Sequence, residues 1–182
     1  MVMVRPVIAL DGRSSTRLPV GGGHDTAQWI EESEVMDSAL STYVKRVSIC
    51  SGSEWSSLEL TVTHLTIGVN CLNDLSEMAL DRFILLRELW IGDNSLNGLS
   101  ELRVVGLNRL ERVVIGSNSF SRAGTGNALC VVECSSLKSV VIGDDSFAGF
   151  GMIEIASVPV LEELQIGASC FAAASFELKG GV

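Results

Sequence analysis

Leu86-Arg87-Glu88-Leu89-Trp90-Ile91-Gly92-Asp93-Asn94-Ser95-Leu96 is the stretch from which the rest of the chain can be read. Leu89 and Ile91 are two positions apart, so an extended backbone turns both to one face and Trp90 to the other. The phrase L-x-x-L-x-I-G recurs at Val62–Gly68, Leu110–Gly116, Leu137–Gly143 and Leu161–Gly167, with Val standing for Leu at some positions. Its glycines are evenly spaced, except for one longer step between Gly116 and Gly143. The surplus of that step falls in Ser121–Asn127, whose Gly124 and Gly126 mark a loop. A strand this short cannot bury its apolar face alone. Stacked in phase, the five phrases make a parallel sheet over one continuous core.

Each phrase runs on to a polar residue and then an apolar one: Asn70 with Leu72, Asn94 with Leu96, Asn118 with Phe120, Asp145 with Phe147, and Ser169 with Phe171. The whole pattern, L-x-x-L-x-I-x-x-N-x-L repeated at the interval from Gly68 to Gly92, resembles the leucine-rich repeat family, over roughly Val62 to the carboxyl end. The Gly after the Ile, and the Ser or Cys before the closing Leu or Phe, resemble its BspA-like subgroup. The resemblance implies a right-handed, horseshoe-shaped solenoid that is mostly β. It implies a parallel concave sheet on which partners are held.

The return half of each unit also alternates, through Met78 and Leu80, Leu102 and Val104, Leu129 and Val131, and Ile153 and Ile155. Phe83, Leu107, Cys134 and Val158 follow three positions later. Period two predicts extended convex segments rather than helices. The Asn positions are expected to satisfy backbone groups between coils, more weakly where Asp145 and Ser169 replace Asn. The repeated glycines predict a positive φ or a close approach to the neighbouring coil. Cys134, Cys71 and Cys170 take slots that core residues or Ser fill elsewhere. The five cysteines are therefore read as small buried side chains without a disulfide framework, metal or redox role.

Three regions are expected: a loose arm over 1–23, a capping helix and degenerate first coil over 24–61, and the solenoid over 62–182, its last repeat incomplete. The helix is read over Asp25 to Tyr43 from the Asp25-x-x-Gln28 capping box and the stripe Trp29, Ile30, Met36, Leu40 and Tyr43. Val44-Lys45-Arg46-Val47-Ser48-Ile49 fits the strand template, although Ile49 stands closer to Ile67 than one full unit. Phe176-Glu177-Leu178-Lys179 begins another return segment, which leaves an open carboxyl edge able to self-associate.

The 182 residues are 47% apolar and only 5% aromatic, which suits an aliphatic core. A formal net charge of -9 argues against nucleic acid and anionic membranes, both of which need a basic footprint. Arg5 and Pro6 split the apolar amino terminus, and no apolar run reaches membrane-spanning length. A soluble, cytoplasmic protein is expected, since neither a signal peptide nor a disulfide framework is evident. No metalloprotease, nucleophile-elbow, P-loop or dinucleotide signature is present, and cofactor, metal and catalytic roles are expected to be none. His64 and Glu88 occupy equivalent positions in successive strands and form a candidate surface pair. Glu162 with Glu163 and Asp144 with Asp145 are sequence neighbours, which a strand sends to opposite faces, so neither pair is set for glycosidase work.

What remains is a surface. The outward residue of each strand is Thr66, Trp90, Val114, Val141 or Gln165, and neighbouring strands set them about 4.8 Å apart. With Arg87, Glu88 and Arg112 these are the candidate contacts for a protein partner. Five strands offer about 400 Å² in plan, against about 800 Å² per partner in a stable complex. A non-catalytic protein-interaction module is the leading expectation. A structural or adhesive segment of a larger surface-associated repeat protein is the alternative.

Overall fold

The computed structural model describes residues 18–19, 29–30, 43–124, 126–172 and 175–179. The chain divides into two compact units, Met1–Tyr43 and Val44–Val182. In the first, β1 (Leu18–Pro19) pairs antiparallel with β2 (Trp29–Ile30). Trp29 and Ile30 are thus in a short strand, not in the expected helix, Tyr43 is exposed and outside any helix, and the rest of that expectation lies outside the described residues.

The second unit is a solenoid of mostly parallel β-sheet with little helix. Its larger sheet holds β3 (Arg46–Ile49), β4 (His64–Ile67), β5 (Glu88–Ile91), β7 (Arg112–Ile115), β9 (Ser139–Ile142) and β11 (Glu163–Ile166), all in spatial order. The smaller sheet holds β6 (Glu101–Val105), β8 (Ala128–Val132), β10 (Met152–Ala156) and β12 (Ser175–Lys179). Register follows the sequence phrase, Leu65 opposite Leu89 and Ile67 opposite Ile91, and it passes through the lengthened coil with Ile115 opposite Ile142. β3 extends this sheet at its amino-terminal end, pairing parallel with β4 and setting Ile49 opposite Ile67. The inward residues of β4, β5, β7 and β9 are at most 3% exposed. In β11 the burial falls away: Leu164 is 37% exposed where its neighbour Val140 is 1%.

Every phenylalanine whose side chain is described lies in the core, so the aliphatic expectation needs correcting at one corner. Phe120, Phe147 and Phe171 stack face to face with centroids 4.5 and 5.0 Å apart, and Phe150 meets Phe147 edge-on. Phe120 has φ +55°, Phe147 +56° and Phe171 +53°, and Leu72 and Leu96 share this left-handed backbone at the same position. A left-handed residue costs about 1–2 kcal/mol, whereas burying a Leu or Phe contributes roughly 1.5–3 kcal/mol. Burial wins, and the bulky side chain turns inward at the corner.

A short helix that the repeat does not predict follows β3. Ser51 caps α1 (Gly52–Ser56) in a capping box with Glu54, an S-x-x-E signature visible in the sequence. Its Trp55 is buried edge-on against Phe83 at 5.5 Å. Arg82 covers both rings and donates to the Trp55 carbonyl at 3.2 Å.

The corner between the sheets is held by serine rather than asparagine. Asn70, Asn94, Asn118, Asp145 and Ser169 are exposed and have φ between +55° and +58°. Their part is conformational, since short polar side chains tolerate the left-handed region, and the backbone N–H groups of Asn70, Asn94, Asn118 and Asp145 reach across to the next coil. The buried Ser95, Ser119 and Ser146 make the side-chain ladder. Ser119 Oγ accepts from the Ser95 amide at 3.2 Å and donates to the Gly92 carbonyl at 3.0 Å; Ser95 and Ser146 do the same one coil before and after. The expected weakening at Asp145 does not arise, because Ser146 carries that rung. Gly92 and Gly116 serve close approach, not positive φ: a Cβ on Gly92 would lie 2.8 Å from the Gly68 backbone.

Two cysteines depart from the reading as isolated core thiols. Cys50 and Cys71 are bonded in a disulfide, which withdraws the thiol-based argument for a reducing compartment. Cys130 and Cys134 are buried as free thiols, and Cys170, half-buried, takes the serine slot with its Sγ 3.1 Å from the Gly143 carbonyl.

Candidate binding surface

The outer face of the six-stranded sheet is built by alternation. Leu89 and Ile91 of β5 point into the core, which leaves Glu88 and Trp90 facing out. Pairing then sets Ser48, Thr66, Trp90, Val114, Val141 and Gln165 in one row across the sheet. All five outward residues expected from the sequence are in it, and β3 adds Ser48. The adjoining row runs Arg46, His64, Glu88, Arg112, Ser139 and Glu163.

Trp90 is the largest side chain of this face and is 40% exposed. Its Nε1–H donates to Glu88 Oε2 at 3.1 Å, and the Arg112 guanidinium lies over its ring, 5.5 Å from the centroid. Glu88 also faces His64, with Oε1 3.9 Å from Nε2, the pair foreseen in the sequence. The other nitrogen of that ring, Nδ1, is 2.9 Å from Thr63 Oγ1. Polar neighbours on two sides thus fix the orientation of the indole while one face of the sheet stays open beside it.

Beyond Val141 the chemistry changes. Glu163 accepts from Ser139 Oγ at 2.5 Å and from Gln165 Nε2 at 2.7 Å, so Gln165 is tied to its own strand. Ser139 and Glu163 were not among the expected contacts; the register of β9 with β11 is the signal that joins them. Lys138 pairs with Glu111 at 3.4 Å on the rim. Arg87 precedes β5 and holds the backbone step, its N–H donating to the Thr63 carbonyl at 2.7 Å.

Among the described residues no cluster of three His, Cys, Asp or Glu side chains could hold a metal ion. No helix among them is long and apolar enough to cross a membrane. Burial pushes the thiols of Cys130, Cys134 and Cys170 up from their ordinary range, which suits structural cysteines rather than nucleophiles. Comparison with protein-family models, with curated proteins and with solved structures yields no match to this chain.

Proposed function

We propose that this chain is a non-catalytic protein-interaction module of the leucine-rich-repeat kind, and that its partner docks on the outer face of the six-stranded sheet. The observation that carries the reading is Trp90, exposed in a row with Val114 and Val141 and held by Glu88 and Arg112. Aromatic residues with fixed orientation are the usual anchors of protein interfaces, because little side-chain entropy is lost on binding. Six strands of four residues offer only about 300 Å² in plan, so the partner also covers the rim at Arg87, Glu111 and Lys138. The test places a photoreactive residue at Val114 and identifies the crosslinked protein in the native source. Trp90→Ala should reduce crosslinking at least tenfold while circular dichroism and melting stay unchanged; undiminished crosslinking overturns the reading.

The disulfide favours a second reading, a structural or adhesive segment of a surface-associated repeat protein, since such bonds persist in oxidising surroundings. Alkylation of the native protein before and after reduction, read by mass spectrometry, decides between them. Cys50 and Cys71 alkylated without reduction would exclude it.

A further inference from the structure

The smaller sheet stops one coil short of where the sequence repeat would carry it. Met78 and Leu80 stand one repeat before Leu102 and Val104 and are buried like them, so Glu77–Asp81 is the counterpart of β6. Yet β6 is an edge strand, and among the described residues no backbone hydrogen bond joins it to 77–81. Between them lies a cleft of about 550 Å³, lined by both segments, within the range of roughly 300–1,000 Å³ common for ligand sites.

The backbone groups facing this cleft can be assigned. In a parallel pair, alternate residues bond to one neighbour, and those between face the other. The Ala128 amide donates to the Ser100 carbonyl and the Gly106 amide to the Val132 carbonyl, so even-numbered residues of β6 serve β8. Glu101, Arg103 and Val105 therefore turn their N–H and C=O groups toward the cleft, and all three line it. The opposite wall is anchored by buried Met78 and Leu80, and the Leu80 carbonyl is engaged by Phe83.

Charge indicates what would fit. Glu77, Asp81 and Glu101 are exposed around the opening. The cation among the lining residues, Arg103, is spent on Glu101 at 3.0 Å. The geometry points to a second interaction site, independent of the Trp90 face: the cleft between Glu77–Asp81 and β6 accepts an extended peptide strand bearing Lys or Arg, bonded through its backbone to the free edge of β6. Strand addition of this kind draws affinity from main-chain hydrogen bonds and selectivity from alternate side chains.

The test uses the full chain and a fluorescein-labelled, end-blocked peptide Lys-Val-Thr-Val-Lys-Val. Saturable binding is expected by anisotropy, with slowed amide exchange confined to Glu101, Arg103 and Val105 in β6. A twin peptide N-methylated at alternate residues along one edge should bind at least tenfold more weakly, because it cannot complete the ladder. The double variant Glu77→Lys with Asp81→Lys, whose side chains are exposed, should weaken the parent peptide at least fivefold at low salt. No saturation at millimolar peptide, equal binding of the parent and of twins methylated along either edge, or protection elsewhere on the chain would overturn the proposal.

Discussion

Cys71 is bonded to Cys50 at the place where Ser95, one coil later, donates its hydroxyl to the Gly68 carbonyl. Cys50 follows Ile49 as Gly68 follows Ile67, so the first step of the corner ladder is covalent and the later ones are hydrogen-bonded. Among the described coils only this one carries a side chain in the glycine position, and β3 is the end strand of its described sheet, so no described coil stands before Cys50 to meet its Cβ. Closing a loop of about 20 residues contributes on the order of 3 kcal/mol. Cys50→Ser with Cys71→Ser should lower stability by about 2–3 kcal/mol, as read from urea midpoints. Faster amide exchange should be confined to β3, α1 and the turn at Cys71.

Asn118 and Ser119 are neighbours with opposite roles, and substitution separates them. Ser119→Ala leaves the Ser95 amide and the Gly92 carbonyl buried without their partner, a cost of about 1–3 kcal/mol. Asn118→Gly should be nearly neutral, since it keeps the φ of +55°. Asn118→Val should cost about 1–2 kcal/mol for the left-handed backbone. A large loss in Asn118→Gly would return the side chain to the role first expected of it.

Glycine substitutions should divide by neighbour distance. A Cβ on Gly116 would stand 2.6 Å from the Asp93 amide, whereas one on Gly52 meets nothing within 4 Å. Gly116→Ala should shift the urea midpoint sharply downward or prevent folding. Gly52→Ala, in α1, should be neutral or stabilise by up to about 1 kcal/mol.

Acid should loosen α1 before the sheets. Glu54 accepts the Cys50 amide at 2.8 Å, the Ser51 amide at 2.9 Å and the Ser51 hydroxyl, which hold its carboxyl below the ordinary value. A group with a lowered folded pKa binds fewer protons when folded. Its contribution is therefore present above the unfolded value, about 4.3, and is lost as pH falls through the lowered folded value. Fluorescence of Trp55 followed down through this window, in a Trp29→Phe and Trp90→Phe background that leaves it the single tryptophan, should change within it, and Glu54→Gln should remove the transition.

The strands and their register were legible because a repeat carries its own redundancy: Leu89 and Ile91 are buried, and so are their counterparts on each side. The outer row was legible for the same reason, since alternation alone places Trp90 between Thr66 and Val114. What was not legible depended on distance in the chain rather than period. Ser95 reads as an ordinary turn residue until Cys71 and Gly68 are brought beside it. The disulfide was hidden because Cys71 sits in a serine slot and Cys50 lies in the one coil that falls short of the regular interval. The gap beside β6 has no sequence signal at all, as Met78 and Leu80 keep the pattern while their backbone leaves the sheet. The Glu88 contacts to Trp90 and His64 were half legible: register gave the neighbours, and only side-chain geometry gave the bonds.

The lengthened coil keeps Val114 opposite Val141 and Leu129 opposite Ile153, so the surplus around Ser121–Asn127 is absorbed wholly at one corner. Arg122 fastens that corner to the Gly98 carbonyl at 2.6 Å, and Asn127 donates to the Arg122 carbonyl at 2.7 Å. Length and register are thereby uncoupled at this point of the chain. A segment spliced between Arg122 and Asn127 should therefore leave both sheets as an undisturbed chassis, with amide exchange in β7 and β8 unchanged.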